Sequence, residues 1–218
     1  MIAVIDYGAG NLQSVVKAFN FIGSDIQVTA DKEVLKNASA AVLPGVGAFG
    51  DAMGCLKRSD FVKPVLDFIE SGKPFLGICL GLQLLFEGSE ENPGVSGLGV
   101  LKGTIRRIPA ESGLKIPHIG WNSLDIKQSD GLFRGLEPNP YVYFVHSYYL
   151  QAENAEIVSS TTTYGVRIDA SVQRGNLFAT QFHPEKSGKT GLKMLQNFIT
   201  CGEEGGRGNV CETNHSLS

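Results

Sequence analysis

The chain has 218 residues, enough for one well-packed domain with a tail and too few for two ordinary domains. Its net charge of −3 and pI near 5.8, with no Lys/Arg run, exclude the clustered basic surface of a nucleic-acid binder. Cys55, Cys79, Cys201 and Cys211 are too sparse for a disulfide scaffold and wrongly spaced for a zinc site, so reduced thiols and no metal are expected.

Residues 2–6 form an apolar run that reads as a strand and lacks the basic leader of a signal peptide, so a cytosolic protein is expected. The run ends at Tyr7-Gly8-Ala9-Gly10-Asn11, after which Leu12, Val15, Val16, Phe19 and Ile22 recur at helical spacing. Gly8 and Gly10 make only part of a dinucleotide fingerprint; the third glycine and the acidic ribose ligand are out of place. A second strand is expected over 25–29, a short helix capped by Asp31 through Lys36, and a third strand over 40–43. This alternation predicts a doubly wound, mostly parallel α/β sheet with helices on both faces.

The third strand runs into Pro44-Gly45-Val46-Gly47-Ala48-Phe49-Gly50, read as a loop. It lies at the C-terminal end of a strand, where open α/β sheets bind ligands, and its glycines suit it to present backbone N–H groups to a substrate oxygen. A plain βα turn is the competing reading. Residues 60–71 are amphipathic, with helix expected from about Pro64. The apolar stretch 75–86 falls short of the roughly 20 residues that span a bilayer.

Within that stretch Gly77-Ile78-Cys79-Leu80-Gly81 places a cysteine between two glycines where a strand pattern gives way to a helical one. This is the thiol form of a nucleophile elbow, a tight strand-to-helix turn that lifts a reactive side chain clear of the sheet. A cysteine that merely fills space at a strand end is the alternative, and a partner base decides between them.

Residues 87–99 read as an exposed loop. Beyond it, strands are expected over 100–108, 141–149, 156–163, 166–172 and 176–182, with few helices between them, so antiparallel ribbons are added in the second half. A last helix follows Ser187. Residues 1–201 are expected to form the domain, and 202–218, poor in apolar residues, a disordered tail.

The base is found in Gln181-Phe182-His183-Pro184-Glu185. Proline holds His183 extended, and residues two apart in an extended chain point to one side, so Glu185 is placed to hold the His183 Nδ1–H while Nε2 faces the thiol. His118 and His146 have no carboxylate two residues on and read as structural histidines.

The elbow with Gln83, together with the distant His183-Pro184-Glu185, resembles the class I (triad) glutamine amidotransferases. Ile5-Asp6-Tyr7-Gly8-Ala9-Gly10-Asn11, Pro44-Gly45-Val46-Gly47-Ala48-Phe49, Gly120-Trp121-Asn122 and Tyr143-Phe144-Val145-His146-Ser147-Tyr148 resemble one branch of that family most closely. Its members are glutaminase subunits of heterodimers with a (β/α)8-barrel cyclase in histidine biosynthesis. The resemblance covers residues 1 to about 200, and Ile119 stands where that branch usually has methionine.

The resemblance implies hydrolysis of glutamine to glutamate without metal or cofactor. The ammonia passes to the cyclase, which makes imidazole glycerol phosphate and aminoimidazole carboxamide ribotide. Cys79, His183 and Glu185 would be the triad, and backbone groups of Val46, Gly47 and Leu80 the oxyanion hole. Gly47 and Gln83, with the backbone of Ser147 and Tyr148, would hold glutamine. The partner surface is expected at Asn11, Gly120, Trp121, Asn122 and Tyr143, with Trp121 as ordinary core the competing reading. The alternatives in function are a glutaminase of the anthranilate or pyridoxal phosphate synthase type and a cysteine hydrolase of peptides or esters. A non-catalytic binding subunit would normally have lost part of the triad.

Overall fold

A computed structural model describes residues 1–110 and 113–205, leaving out the side chains of 202–205. The first half alternates strand and helix: β1 (Ile2–Ile5), α1 (Leu12–Phe21), β2 (Ile26–Thr29), α2 (Lys32–Asn37), β3 (Ala40–Gly45), α3 (Phe49–Arg58), α4 (Val62–Glu70), β4 (Phe75–Cys79) and α5 (Leu80–Leu84). Strands dominate the second half: β5 (Gly88–Ser89), β6 (Gly103–Arg107), β7 (His118–Ser123), β8 (Asp125–Ile126), β9 (Tyr141–His146), β10 (Tyr148–Ala152), β11 (Val158–Tyr164), β12 (Val166–Arg174) and β13 (Leu177–Thr180). The helix α6 (Gly188–Gly205) closes the described chain, so the expected tail from 206 onward lies outside the described residues.

An eight-stranded sheet runs in the order β2-β1-β3-β4-β13-β12-β11-β8. The strands from β2 to β13 are parallel, and β12, β11 and β8 continue the sheet antiparallel. Smaller ribbons, β10-β6-β5 and β7-β9, are added from the second half. The two halves join where β13 pairs in parallel with β4, setting Thr180 beside Ile78. That register brings residues 181–185 to the end of the strand that carries Cys79.

Strand alternation divides the core into two layers. Ala3, Ile5, Ala41, Leu43 and Phe75 pack with Leu35, Met53, Leu56, Val65 and Phe68 of α2, α3 and α4. Ile2, Val4, Val42, Leu76 and Ile78 face the other way, onto Val15 and Phe19 of α1 and Leu195 and Phe198 of α6. Full burial of such Phe and Leu side chains stabilises the fold by about 1.5–3 kcal/mol each.

Three expectations need correction. Residues 44–50 are not a loop throughout, since α3 begins at Phe49. Gly50 and Gly54 hide this helix, each lowering helix propensity by about 1 kcal/mol relative to alanine. Gly50 is there for contact: a Cβ on it would stand 2.8 Å from Asn92 Cγ. Nor are residues 87–99 merely an exposed loop. They include β5 and the buried Ser89, and they cap α3, with Glu91 Oε2 accepting the Phe49 N–H at 2.8 Å and Asn92 Oδ1 the Gly50 N–H at 2.7 Å. The run 141–149 breaks at Ser147 into β9, which pairs with β7, and β10, which pairs with β6 in another sheet.

Candidate active site

Cys79 closes β4 with φ 55° and ψ −106°, a backbone state that non-glycine residues avoid unless the surroundings enforce it. Here the surroundings are backbone. A Cβ on Gly77 would stand 2.8 Å from the Gly81 carbonyl oxygen, and a Cβ on Gly81 would run into the Leu43 carbonyl of β3. Gly45 pairs with Cys79 across β3 and β4, and a Cβ there would meet Leu80 Cβ at 2.8 Å and Tyr7 Oη at 2.9 Å. Tyr7, buried, donates its hydroxyl to the Pro44 carbonyl at 3.0 Å, and burial raises its pKa, helped by Cys55 and Cys79.

A cavity of about 300 Å³ opens over Cys79. Val46, Gly47, Leu80, Gln83, Ser147, Tyr148 and His183 all contribute to its wall, so residues far apart in sequence converge on one space. Gly47 has φ +100°, and Val46 is 42% exposed. Glu185 lies behind the wall, its Oε1 accepting from His183 Nδ1 at 2.8 Å with both side chains almost fully buried. Among the described residues His183 Nε2 finds no hydrogen-bond partner. Burial opposes a charged ring, but the Cys79 thiol and the Glu185 carboxylate outweigh it and lift the His183 pKa to about 9.

His118 and His146 are buried and hydrogen-bonded to each other, Nδ1 to Nε2, at 3.0 Å. His146 Nδ1 donates to the Tyr148 carbonyl at 2.8 Å, so its Nε2 is the acceptor of the His118 Nδ1–H. Burial, with smaller effects from neighbouring histidines at His146, lowers the two pKa values to about 4 and about 3.

Of the expected partner surface, Gly120, Trp121, Asn122 and Tyr143 lie on one ribbon, with Trp121 paired to Tyr143 and the two rings 6.2 Å apart. Asn11 is on a separate element, ahead of α1, which packs on the 184–186 turn that also touches β9. Gly120-Trp121-Asn122 forms the middle of β7. Glycine and asparagine are poor strand formers, and pairing with β9 overrides them. Trp121 is 55% exposed and therefore not core, as is Ile119 at 59%. Among the described residues no group of His, Cys, Asp or Glu side chains is placed to hold a metal ion.

Sequence reasoning did not single out Gln181, Glu91 or Tyr7 as site residues. Gln181 had a signal, since it lies only two residues before His183 in the same short motif. Glu91 had none, because only the folded loop brings it to the cavity.

This elbow on a mostly parallel sheet defines a class. The family model described as "Glutamine amidotransferase class-I" matches residues 3–201, and the chain belongs to that family of cysteine-based glutaminases. It is similar to imidazole glycerol phosphate synthase subunit HisH of Methanothermobacter thermautotrophicus, 52% identical over 199 residues that cover 91% of this chain and 98% of the relative. The HisH subunit of Caldanaerobacter subterraneus subsp. tengcongensis is 50% identical over 198 residues, 91% of this chain and 97% of the relative. The solved structure of PurLQS from Thermotoga maritima matches with TM-score 0.72 at 22% identity, over 91% of this chain and 97% of that one, a likeness of fold. Among the described residues no helix is long and apolar enough to cross a membrane.

Proposed function

We propose that this chain is the glutaminase subunit of an imidazole glycerol phosphate synthase, working through a Cys79-His183-Glu185 triad. One observation carries the reading: a strained, glycine-flanked Cys79 shares a cavity with His183, whose other nitrogen is held by a buried carboxylate. Sγ attacks the side-chain carbonyl carbon of glutamine, and the thiol proton passes through His183 to the departing ammonia. Water, deprotonated by His183, then adds to the thioester; glutamate leaves and the thiol is restored. Glu185 fixes the ring and stabilises its charged form. The N–H groups of the Val46-Gly47 loop and of Leu80 are the donors for the oxyanion.

Hydrogen bonds already made support particular substrate contacts. Gln83 Nε2 donates to the Tyr148 carbonyl at 3.2 Å and to Gln181 Oε1 at 3.0 Å, so both its hydrogens are used and only Oε1 is left for glutamine. That oxygen and the Glu91 carboxylate suit an ammonium group. The Ser147 carbonyl accepts from the Ile108 N–H at 3.0 Å, which makes Tyr148 and Arg107 a non-hydrogen-bonded pair. The Tyr148 N–H is therefore not used by β6 and suits the substrate carboxylate. A cavity of about 300 Å³ has room for one amino acid.

The partner is a (β/α)8-barrel cyclase, seated on the Ile119, Trp121 and Tyr143 side of the β7–β9 ribbon. In the complex Cys79→Ala is expected to abolish glutamine-dependent synthesis while synthesis from ammonium salt continues. Glutaminase turnover retained by Cys79→Ala would refute the assignment.

A further inference from the structure

Gln181 is completely buried, and its side chain spans from Gln83 to Cys79. The polarity of this chain of contacts is fixed at its far end. The Tyr148 carbonyl can only accept, so the group of Gln83 that faces it is the NH2. The same nitrogen meets Gln181 at 3.0 Å, so Gln181 turns its oxygen toward Gln83. Its NH2 is thereby directed at the Cys79 sulfur, with Nε2 to Sγ 3.6 Å. The backbone is pinned as well: the Gln181 N–H donates to the Ala170 carbonyl at 2.8 Å, just beyond β13.

We infer that Gln181 is a further catalytic residue, whose side-chain N–H donates to the sulfur of Cys79 and favours it when it carries negative charge. The inference rests on Cys79 being the nucleophile. A neutral thiol or a thioester sulfur is a weak acceptor, whereas a charged acceptor roughly doubles a hydrogen bond's strength. The donor thus helps at two moments. It favours the sulfur anion before attack, and it favours sulfur as a leaving group when the second tetrahedral intermediate collapses to glutamate. His183 manages the proton, and Gln181, two residues before it, manages charge on sulfur. An amide present only to fill space would need no donor there.

The test uses the chain in complex with its cyclase and compares Gln181→Met, which keeps the length without a donor, with Gln181→Glu, which keeps the shape but replaces the donor by an acceptor. Four quantities are read: kcat and KM for glutamine hydrolysis, the pH dependence of Cys79 alkylation by iodoacetamide, and the melting temperature, which reports whether each variant is folded. Gln181→Met is expected to lower kcat by about 10- to 100-fold, the loss of one hydrogen bond to a charged acceptor, with KM within about twofold. Its alkylation profile moves to higher pH, and that of Gln181→Glu moves further. If Gln181→Glu fails to fold, Gln181→Met alone decides. An alkylation profile for Gln181→Met that overlays the wild type overturns the inference, and so does a change confined to KM, which would mean that Gln181 only places Gln83. The reading of Cys79 as nucleophile fails separately, if alkylating Cys79 leaves wild-type hydrolysis intact.

Discussion

The β4–α5 turn and the β7–β9 ribbon both reach the cavity, the first through Cys79 and Leu80, the second through Val145 and His146. In the turn, backbone packs against backbone: Gly77 against the Gly81 carbonyl, Gly81 against the Leu43 carbonyl. Any side chain at those glycines collides with atoms that cannot move aside. In the ribbon the order comes from side-chain polarity, with His118 stacked on Tyr164 at 3.9 Å and bonded to His146, while the opposite face leaves Ile119 and Trp121 to solvent. A site that must hold a nucleophile in one strained state is thus built from sterics. The wall that, on the proposed reading, also meets a partner is built from a ladder and a buried polar pair.

The largest expected effect breaks the steric side of this comparison. Gly81→Ala drives a methyl group into the Leu43 carbonyl and is expected to cost upward of about 3 kcal/mol, or to prevent folding. Denaturant unfolding measures it, and a loss below about 1 kcal/mol would show that the turn is not sterically locked.

Next come the groups that the turn serves. His183→Ala is expected to lower glutamine hydrolysis in the complex by about 10²–10⁴, the usual worth of general acid–base catalysis. Glu185→Gln keeps the shape, loses the charge that supports the ring and should be milder, with unchanged circular dichroism. Equal rates for Glu185→Gln and wild type would remove Glu185 from the mechanism.

The smallest effect separates the two regions by pH. His183, raised to about 9, contributes stability that is full below its unfolded value of about 6.5 and is lost as pH rises through 9. His118 and His146, lowered to about 4 and about 3, act in the opposite sense: their contribution is full above about 6.5 and is lost as pH falls toward those values. The melting temperature should therefore decline on both sides of about pH 6.5, the alkaline arm from the turn's partner and the acid arm from the ribbon. His183→Gln should flatten the alkaline arm alone. An alkaline arm that persists unchanged in that variant would detach it from His183.

The same contrast explains what could be read from sequence. The alternating strands and helices, the elbow and the His183–Glu185 pair were legible because each is local in sequence: a glycine where backbones touch, a histidine with a carboxylate two residues on. The extended geometry expected across that pair holds only at His183, since residues 184–186 turn into a 3-10 helix that carries Glu185. The helix α3 was not, since Gly50 and Gly54 suppress its propensity and its caps, Glu91 and Asn92, come from about 40 residues away. Strand β7 was hidden because Gly120 and Asn122 look like turn residues until β9 pairs with them. Gln181 was visible in the motif, but its orientation depends on Gln83 and on the Tyr148 carbonyl, which only the break at Ser147 brings to the site.

The central claim is that this chain hydrolyses glutamine on behalf of a partner that docks beside the site. Its most direct test is steady-state glutamine hydrolysis by the chain alone, with the cyclase, and with the cyclase plus its nucleotide ligand. The Val46-Gly47 loop is glycine-rich and exposed, and a peptide group turned away from the oxyanion costs about 10²–10³ in rate. The account predicts a nearly silent chain whose rate rises on adding the cyclase and again, by that order, on adding the nucleotide. Equal rates in all three mixtures would contradict it.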